Sequence, residues 1–111
     1  MKVIISLGSN KNQMENIEIA ERELSCSFSA IRFSASRYTG DGYYNAVGVG
    51  ETSLSYAELR TCTKNIEKRL GRTEDREVIP IDVDILQYDG HCYKPDDMMR
   101  EYNIMLLKEL E

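Results

Sequence analysis

Val78-Ile79-Pro80-Ile81-Asp82-Val83-Asp84-Ile85-Leu86 alternates apolar and acidic residues through its second half. That period of two sends Ile81, Val83 and Ile85 to one face of a strand and Asp82 and Asp84 to the other. A strand that buries one face under helices and displays carboxylates on the other belongs to a layered α+β domain. Pro80 has no amide donor and belongs at the strand's start or on an edge. Tyr88-Asp89-Gly90 then turns the chain.

Upstream, Leu59, Cys62, Ile66 and Leu70 form a helical stripe that stops at Gly71, with Lys68, Arg69 and Arg72 at the negative end of the helix dipole. Ser55 and Glu58 make a capping-box pattern at its start. Ala30–Tyr38 alternates, and Tyr43–Glu51 resumes strand composition after Gly40-Asp41-Gly42, so the two form a hairpin. The apolar run Met1–Leu7 reads as a central strand ending in a Gly8-Ser9-Asn10 turn. Asn10 and Gln13 then suggest a second capping box for a helix over Lys11–Ser25, with Met14, Ile17, Ala20 and Leu24 on its inner stripe. Met99, Tyr102, Met105 and Leu106 place a helix in the tail, Asp96–Glu111.

The order βαββαβ predicts a ferredoxin-like α+β sandwich: a four-stranded antiparallel sheet with both main helices on one face and a short C-terminal helix. Residues 1–111 make a single domain, and the sheet face opposite the helices is expected to be free.

Fourteen Lys+Arg against nineteen Asp+Glu give a net charge of −5, which excludes a basic nucleic-acid binder as the default. No window is long and apolar enough for a membrane span or a signal-peptide core, so a cytoplasmic protein is expected. Cys26, Cys62 and Cys92 are an odd, scattered set. They fit neither a disulfide framework nor a zinc site and are expected to be unpaired and mostly interior.

Asp82 and Asp84 share a face, and adjacent carboxylates repel. They are either solvated charge, the commoner case for a bare Asp-x-Asp, or compensated by a divalent cation such as magnesium with phosphate. Apolar flanks in a strand well inside the sheet favour the cation. Tyr43 and Asn45 also share a face, one offering a stacking plane and the other a donor and an acceptor, a pairing suited to a flat heteroaromatic ring with an amide-like edge. Alone, such a pair is more often a packing residue and a turn residue. Gly8-Ser9-Asn10 lacks the rest of any phosphate-loop fingerprint and is read as a helix start. His91, the single histidine, reads as an exposed turn residue.

Leu7-Gly8-Ser9-Asn10, Tyr43-Tyr44-Asn45, Ile66-Glu67, Gly71-Arg72 and Asp82-Val83-Asp84-Ile85-Leu86 followed by Tyr88-Asp89-Gly90, taken in that order, resemble the 6-hydroxymethyl-7,8-dihydropterin pyrophosphokinase family. The resemblance runs from Met1 to about Leu107. It implies magnesium-dependent transfer of pyrophosphate from ATP to 6-hydroxymethyl-7,8-dihydropterin in folate biosynthesis. Asp82 and Asp84 would be catalytic, holding two Mg²⁺ ions between ATP and the pterin hydroxyl. Tyr43 and Asn45 would contact the pterin ring, while Glu67 and the backbone near Ile85 would lie in the ATP site. The implied partners are ATP and a pterin, with no nucleic acid and no membrane; oligomeric state stays open.

The chain departs from that family's pattern at Ile79 and Tyr102, where arginines are expected, and at Asp96, where a histidine follows the proline. It also has no tryptophan. Arg72 and Arg76 are the candidates to supply the missing ATP contacts, and pterin affinity is expected to survive better than ATP affinity. A homologue that binds a pterin or nucleotide without turnover, and an interaction domain, are the alternatives.

Overall fold

In the computed structural model, which describes Met1–Glu111, the N-terminal apolar run becomes β1 (Lys2–Ser9) and takes the middle of an antiparallel sheet. The chain continues through α1 (Gln13–Ser25), β2 (Ala30–Phe33), β3 (Arg37–Gly40), β4 (Tyr43–Glu51) and α2 (Tyr56–Arg69). It ends with β5 (Asp82–Tyr88), β6 (His91–Cys92), α3 (Pro95–Met98) and α4 (Glu101–Lys108). The sheet order is β2-β4-β1-β5-β6, with β3 also paired to β4. This is the expected ferredoxin-like α+β arrangement, with six strands where four were predicted.

The period-two reading of β5 holds. Ile81, Val83 and Ile85 join Val3, Ile5, Leu7 and Ala46 in one core under Ile17, Ala20 and Leu24 of α1 and Leu59 and Ile66 of α2. Asp82 and Asp84 point the other way and are half-buried. Gly48 faces this core because the Phe33 ring lies directly on it: a β-carbon there would sit 2.8 Å from the ring.

The extra strands have local causes. Phe33 pairs with Gly48, and Ser34 N–H donates to the Val47 carbonyl at 2.8 Å, but Arg37 pairs with Asn45. Ala35 and Ser36 therefore oppose Ala46 alone, a bulge that splits the predicted second strand. The Ser34 hydroxyl also accepts the Val47 amide at 3.0 Å. β6 is a two-residue edge strand beside Gln87 and Tyr88.

Three boundaries, and the free sheet face, differ from expectation. The fourth main strand begins at Asp82 and not Val78, because residues before it are tied to the β1–α1 turn. Asn10 N–H donates to the Ile79 carbonyl at 3.0 Å, and the Asn10 amide side chain accepts from Ile79 N–H and donates to the Glu77 carbonyl, both at 2.7 Å. Asn10 is thereby unavailable as a cap, so α1 starts at Gln13 behind Asn12 in the left-handed region (φ 46°), and Gln13 donates instead to the Gly42 carbonyl. The tail is two helices, broken where Arg100 is extended. Nor is the opposite sheet face wholly free. α4 packs on β4 there, Val47 is fully buried, and Arg37 of β3 pairs with Glu109 at 2.6 Å.

The Ser55–Glu58 capping box forms as predicted. Ser55→Ala is expected to lower stability by about 1 kcal/mol, seen as a shift of the urea midpoint with an unchanged slope. The three cysteines are unpaired as expected, but none is interior: Cys26 is exposed and Cys62 and Cys92 are half-buried. No helix is long and apolar enough to cross a membrane.

Candidate active site

Strand register assembles the site. On the face opposite α1 and α2, Asn45 of β4 stands opposite Gly8 of β1, and Gly8 stands opposite Asp82 of β5. With strands about 5 Å apart, the amide and the carboxylate are separated by about 10 Å of backbone floor. Gly8 keeps that floor low. A β-carbon there would lie 2.8 Å from Asn45 Oδ1 and 3.9 Å from the Tyr43 ring. Asn45 is oriented by donating from Nδ2 to Thr39 Oγ1, which leaves Oδ1 over Gly8 as a free acceptor.

Above this row is a cavity of about 410 Å³ lined by Gly8, Tyr43, Asn45 and Asp82 from the sheet and by Asp97, Arg100 and Tyr102 from the α3–α4 segment, with Thr39 to Asp41 at its rim. The volume lies within the range of small-molecule sites. Three of the residues singled out from sequence therefore share one cavity. Gly8 was legible there only as a turn, and Asp97 and Arg100 carried no signal. Their place depends on how the tail folds back.

Asp84 lies one register step away, opposite Ser6. It borders a second, much smaller cavity between α2 and the outer edge of β5, about 40 Å³, shared with Thr63, Lys64, Val83, Ile85 and Lys94. That is room for a few waters and not for a nucleobase. Glu67 stands behind it, buried, its Oε2 accepting the Val83 amide at 2.8 Å and its Oε1 accepting from Lys64 Nζ at 3.3 Å. The parity that turns the Val83 amide outward turns the Ile85 amide outward too, just before the register shifts at Leu86. Arg72 is spent on the fold: its Nη1 donates to the Ile81 carbonyl at 3.1 Å and to Asp82 Oδ1 at 3.4 Å, and lies 3.7 Å from Glu67. Arg76 is exposed in the loop before β5.

The charges are strained in a consistent direction. Burial, with Asp82 beside it, pushes the Asp84 carboxyl up to about 7, although Lys94 Nζ lies 4.0 Å away. Burial also raises Glu67 against the opposing Val83 hydrogen bond. The Tyr43 phenol is raised by burial and by Asp82, and that of Tyr102 by burial, with Asp97, Asp82 and Asp84 adding to it. A cation placed here would favour the charged form of Asp84.

Asp82 and Asp84 are neighbours, and no third His, Cys, Asp or Glu stands close enough to complete a ligand cluster with them. This suits Mg²⁺, which binds through one or two carboxylates and takes its remaining ligands from substrate phosphates and water. It does not suit a structural metal site.

No curated protein matches the chain. Among solved structures, it is similar to the solution NMR structure of a de novo designed protein with ferredoxin fold, at 15% identity and a TM-score of 0.44, covering 84% of this chain and 91% of that one. The family model for 7,8-dihydro-6-hydroxymethylpterin-pyrophosphokinase matches residues 4–111, nearly the whole length, and the chain belongs to that family.

Proposed function

We propose that this protein transfers the terminal pyrophosphate of ATP to the hydroxymethyl group of 6-hydroxymethyl-7,8-dihydropterin. The observation that carries the proposal is the Asn45-Gly8-Asp82 row: a polar acceptor, a bare floor and a carboxylate in line under one cavity. The pterin ring lies over Gly8 with its amide edge on Asn45 Oδ1 and one face on Tyr43. That pose directs the hydroxymethyl group toward Asp82.

In the reaction the hydroxymethyl oxygen bonds to the β-phosphorus, and the bond from that phosphorus to the oxygen bridging it to the α-phosphate breaks. AMP leaves with the electron pair, and the hydroxyl proton is released. Little covalent chemistry is asked of the protein, so its work is alignment and charge neutralisation. Asp82 and Asp84 would hold two Mg²⁺ ions, whose contribution when bound is to neutralise phosphate charge and lower the barrier to attack. Ile85 offers its outward amide to the adenine edge. Glu67 fixes β5 at that point, and Arg72, engaged with Ile81 and Asp82, holds the start of the strand.

The small volume beside Ile85 is the observation that favours the second reading, a pterin-binding homologue without turnover. Lys64 has to leave Glu67 before a nucleobase can enter. Calorimetry separates the readings. A 6-hydroxymethylpterin titration should show binding without magnesium, and a non-hydrolysable ATP analogue should bind only with it. Absence of pterin binding under both conditions would overturn the proposal, while pterin binding with no nucleotide binding would establish the second reading.

A further inference from the structure

The 410 Å³ cavity is lined by three carboxylates, Asp41, Asp82 and Asp97, and by a single cation, Arg100. A pyrophosphoryl group brought to that space adds negative charge to a wall that is already acidic. The neighbouring cation, Arg72, has its Nη1 engaged with Ile81, Asp82 and Glu67. Ile79, just before β5, is buried and has an apolar side chain.

Arg100 is differently disposed. It stands in extended conformation (φ −65°, ψ 133°) at the break between α3 and α4. Its Nε donates to Asp97 Oδ1 at 3.1 Å, and neither terminal nitrogen has a protein partner. Asp97 is held in turn, because Asn103, itself buried, donates from Nδ2 to the Asp97 carbonyl at 2.9 Å. The Nε–carboxylate bond sets the plane of the guanidinium and leaves its outer edge as a two-pronged donor, the geometry that suits phosphate oxygens.

We propose that Arg100 is the phosphate-side cation of this site, clamping the pyrophosphoryl group with its free terminal nitrogens, and that Asp97 is its positioning residue. The inference rests on the pyrophosphoryl-transfer reading above and assigns that reading a residue from the tail of the chain.

The test uses the full chain and two readouts. In the transfer assay, Arg100→Ala is expected to lower kcat by about 10²- to 10³-fold, the loss typical of one preorganised donor aimed at developing charge. Pterin affinity should be unchanged. Arg100→Lys should recover only part of the rate, since a point charge cannot make the two-pronged contact. Asp97→Ala should lower kcat about tenfold and Asp97→Asn should restore it, because the amide oxygen still accepts from Nε. The second readout needs no turnover. Inorganic pyrophosphate with magnesium, titrated by calorimetry, should bind the parent at least tenfold more tightly than Arg100→Ala. Equal pyrophosphate affinity, or a parent-like kcat in Arg100→Ala, would overturn the inference. A parent that discriminates at Arg100 in binding yet transfers nothing would support Arg100 as the phosphate ligand and overturn the transfer reading instead.

Discussion

Asp82→Asn and Asp84→Asn are each expected to lower the rate of pyrophosphoryl transfer by about 10³-fold, and neither is expected to unfold the protein. The size of the loss follows from what a carboxylate does here. In the proposed reaction it would supply the charge that brings magnesium to the phosphates, and preorganised electrostatics of this kind are usually the largest single contribution to such a reaction. The intact fold follows from the placement of the side chains. Both face away from the main core, and the apolar partners that hold β5, Ile81, Val83 and Ile85, are untouched. Asparagine keeps the shape and removes the charge, so nucleotide binding in magnesium should fall with the rate. Pterin binding, which the proposed pose assigns to Tyr43 and Asn45, should not. Steady-state rates of the two variants, with circular dichroism as the fold check, decide the matter. Variants that turn over at the parental rate would reduce Asp-x-Asp to solvated charge.

The same pair predicts an unusual pH dependence of stability. The Asp84 carboxyl is raised to about 7 in the folded protein from an ordinary value of 3.8, first by burial and then by Asp82. The folded state therefore keeps a proton that the unfolded chain releases between about pH 4 and pH 7. Linkage then makes stability full below that window and lowers it as pH rises through about 7, after which it levels off. A shift of this size corresponds to about 4 kcal/mol at most, and water at this half-buried site reduces it to about 2 kcal/mol. Asp84→Asn cannot release the proton. It should match the parent at pH 4 and melt higher than the parent by about 8 °C or more at pH 8. Millimolar magnesium should narrow the gap at pH 8 by stabilising only the parent. Thermal melts of both proteins at the two pH values check this, and a constant difference across the range would contradict it.

The parts of this molecule that could be read from its sequence are those in which one element's pattern is sufficient. Asp82-Val83-Asp84 declares its two faces by parity alone. Ser55 and Glu58 cap a helix using only each other. The features that could not be read depend on partners distant in the chain. Asn10 looks like a cap until Ile79, 69 residues away, takes its side chain. The Ala35–Ser36 bulge exists because Ser34 finds Val47 across the sheet. Gly8 reads as punctuation after a strand, and its role as the floor of a cavity emerges only from the register that sets it between Asn45 and Asp82. Arg100 and Asp97 lie in a tail whose helical spacing suggests one continuous helix. The Asn103-to-Asp97 hydrogen bond spans the break between α3 and α4. Local propensity settles the first kind of feature, and tertiary context overrides it in the second.

The account as a whole stands on the claim that one cavity aligns a pterin hydroxyl with the β-phosphorus of ATP. The most direct measurement is product analysis by phosphorus NMR after incubating the protein with ATP, magnesium and 6-hydroxymethyl-7,8-dihydropterin. The account predicts AMP and the pterin diphosphate in equal amounts, with neither formed when the pterin or magnesium is omitted. ADP with free phosphate, or unchanged ATP beside a protein that still binds the pterin, would contradict it.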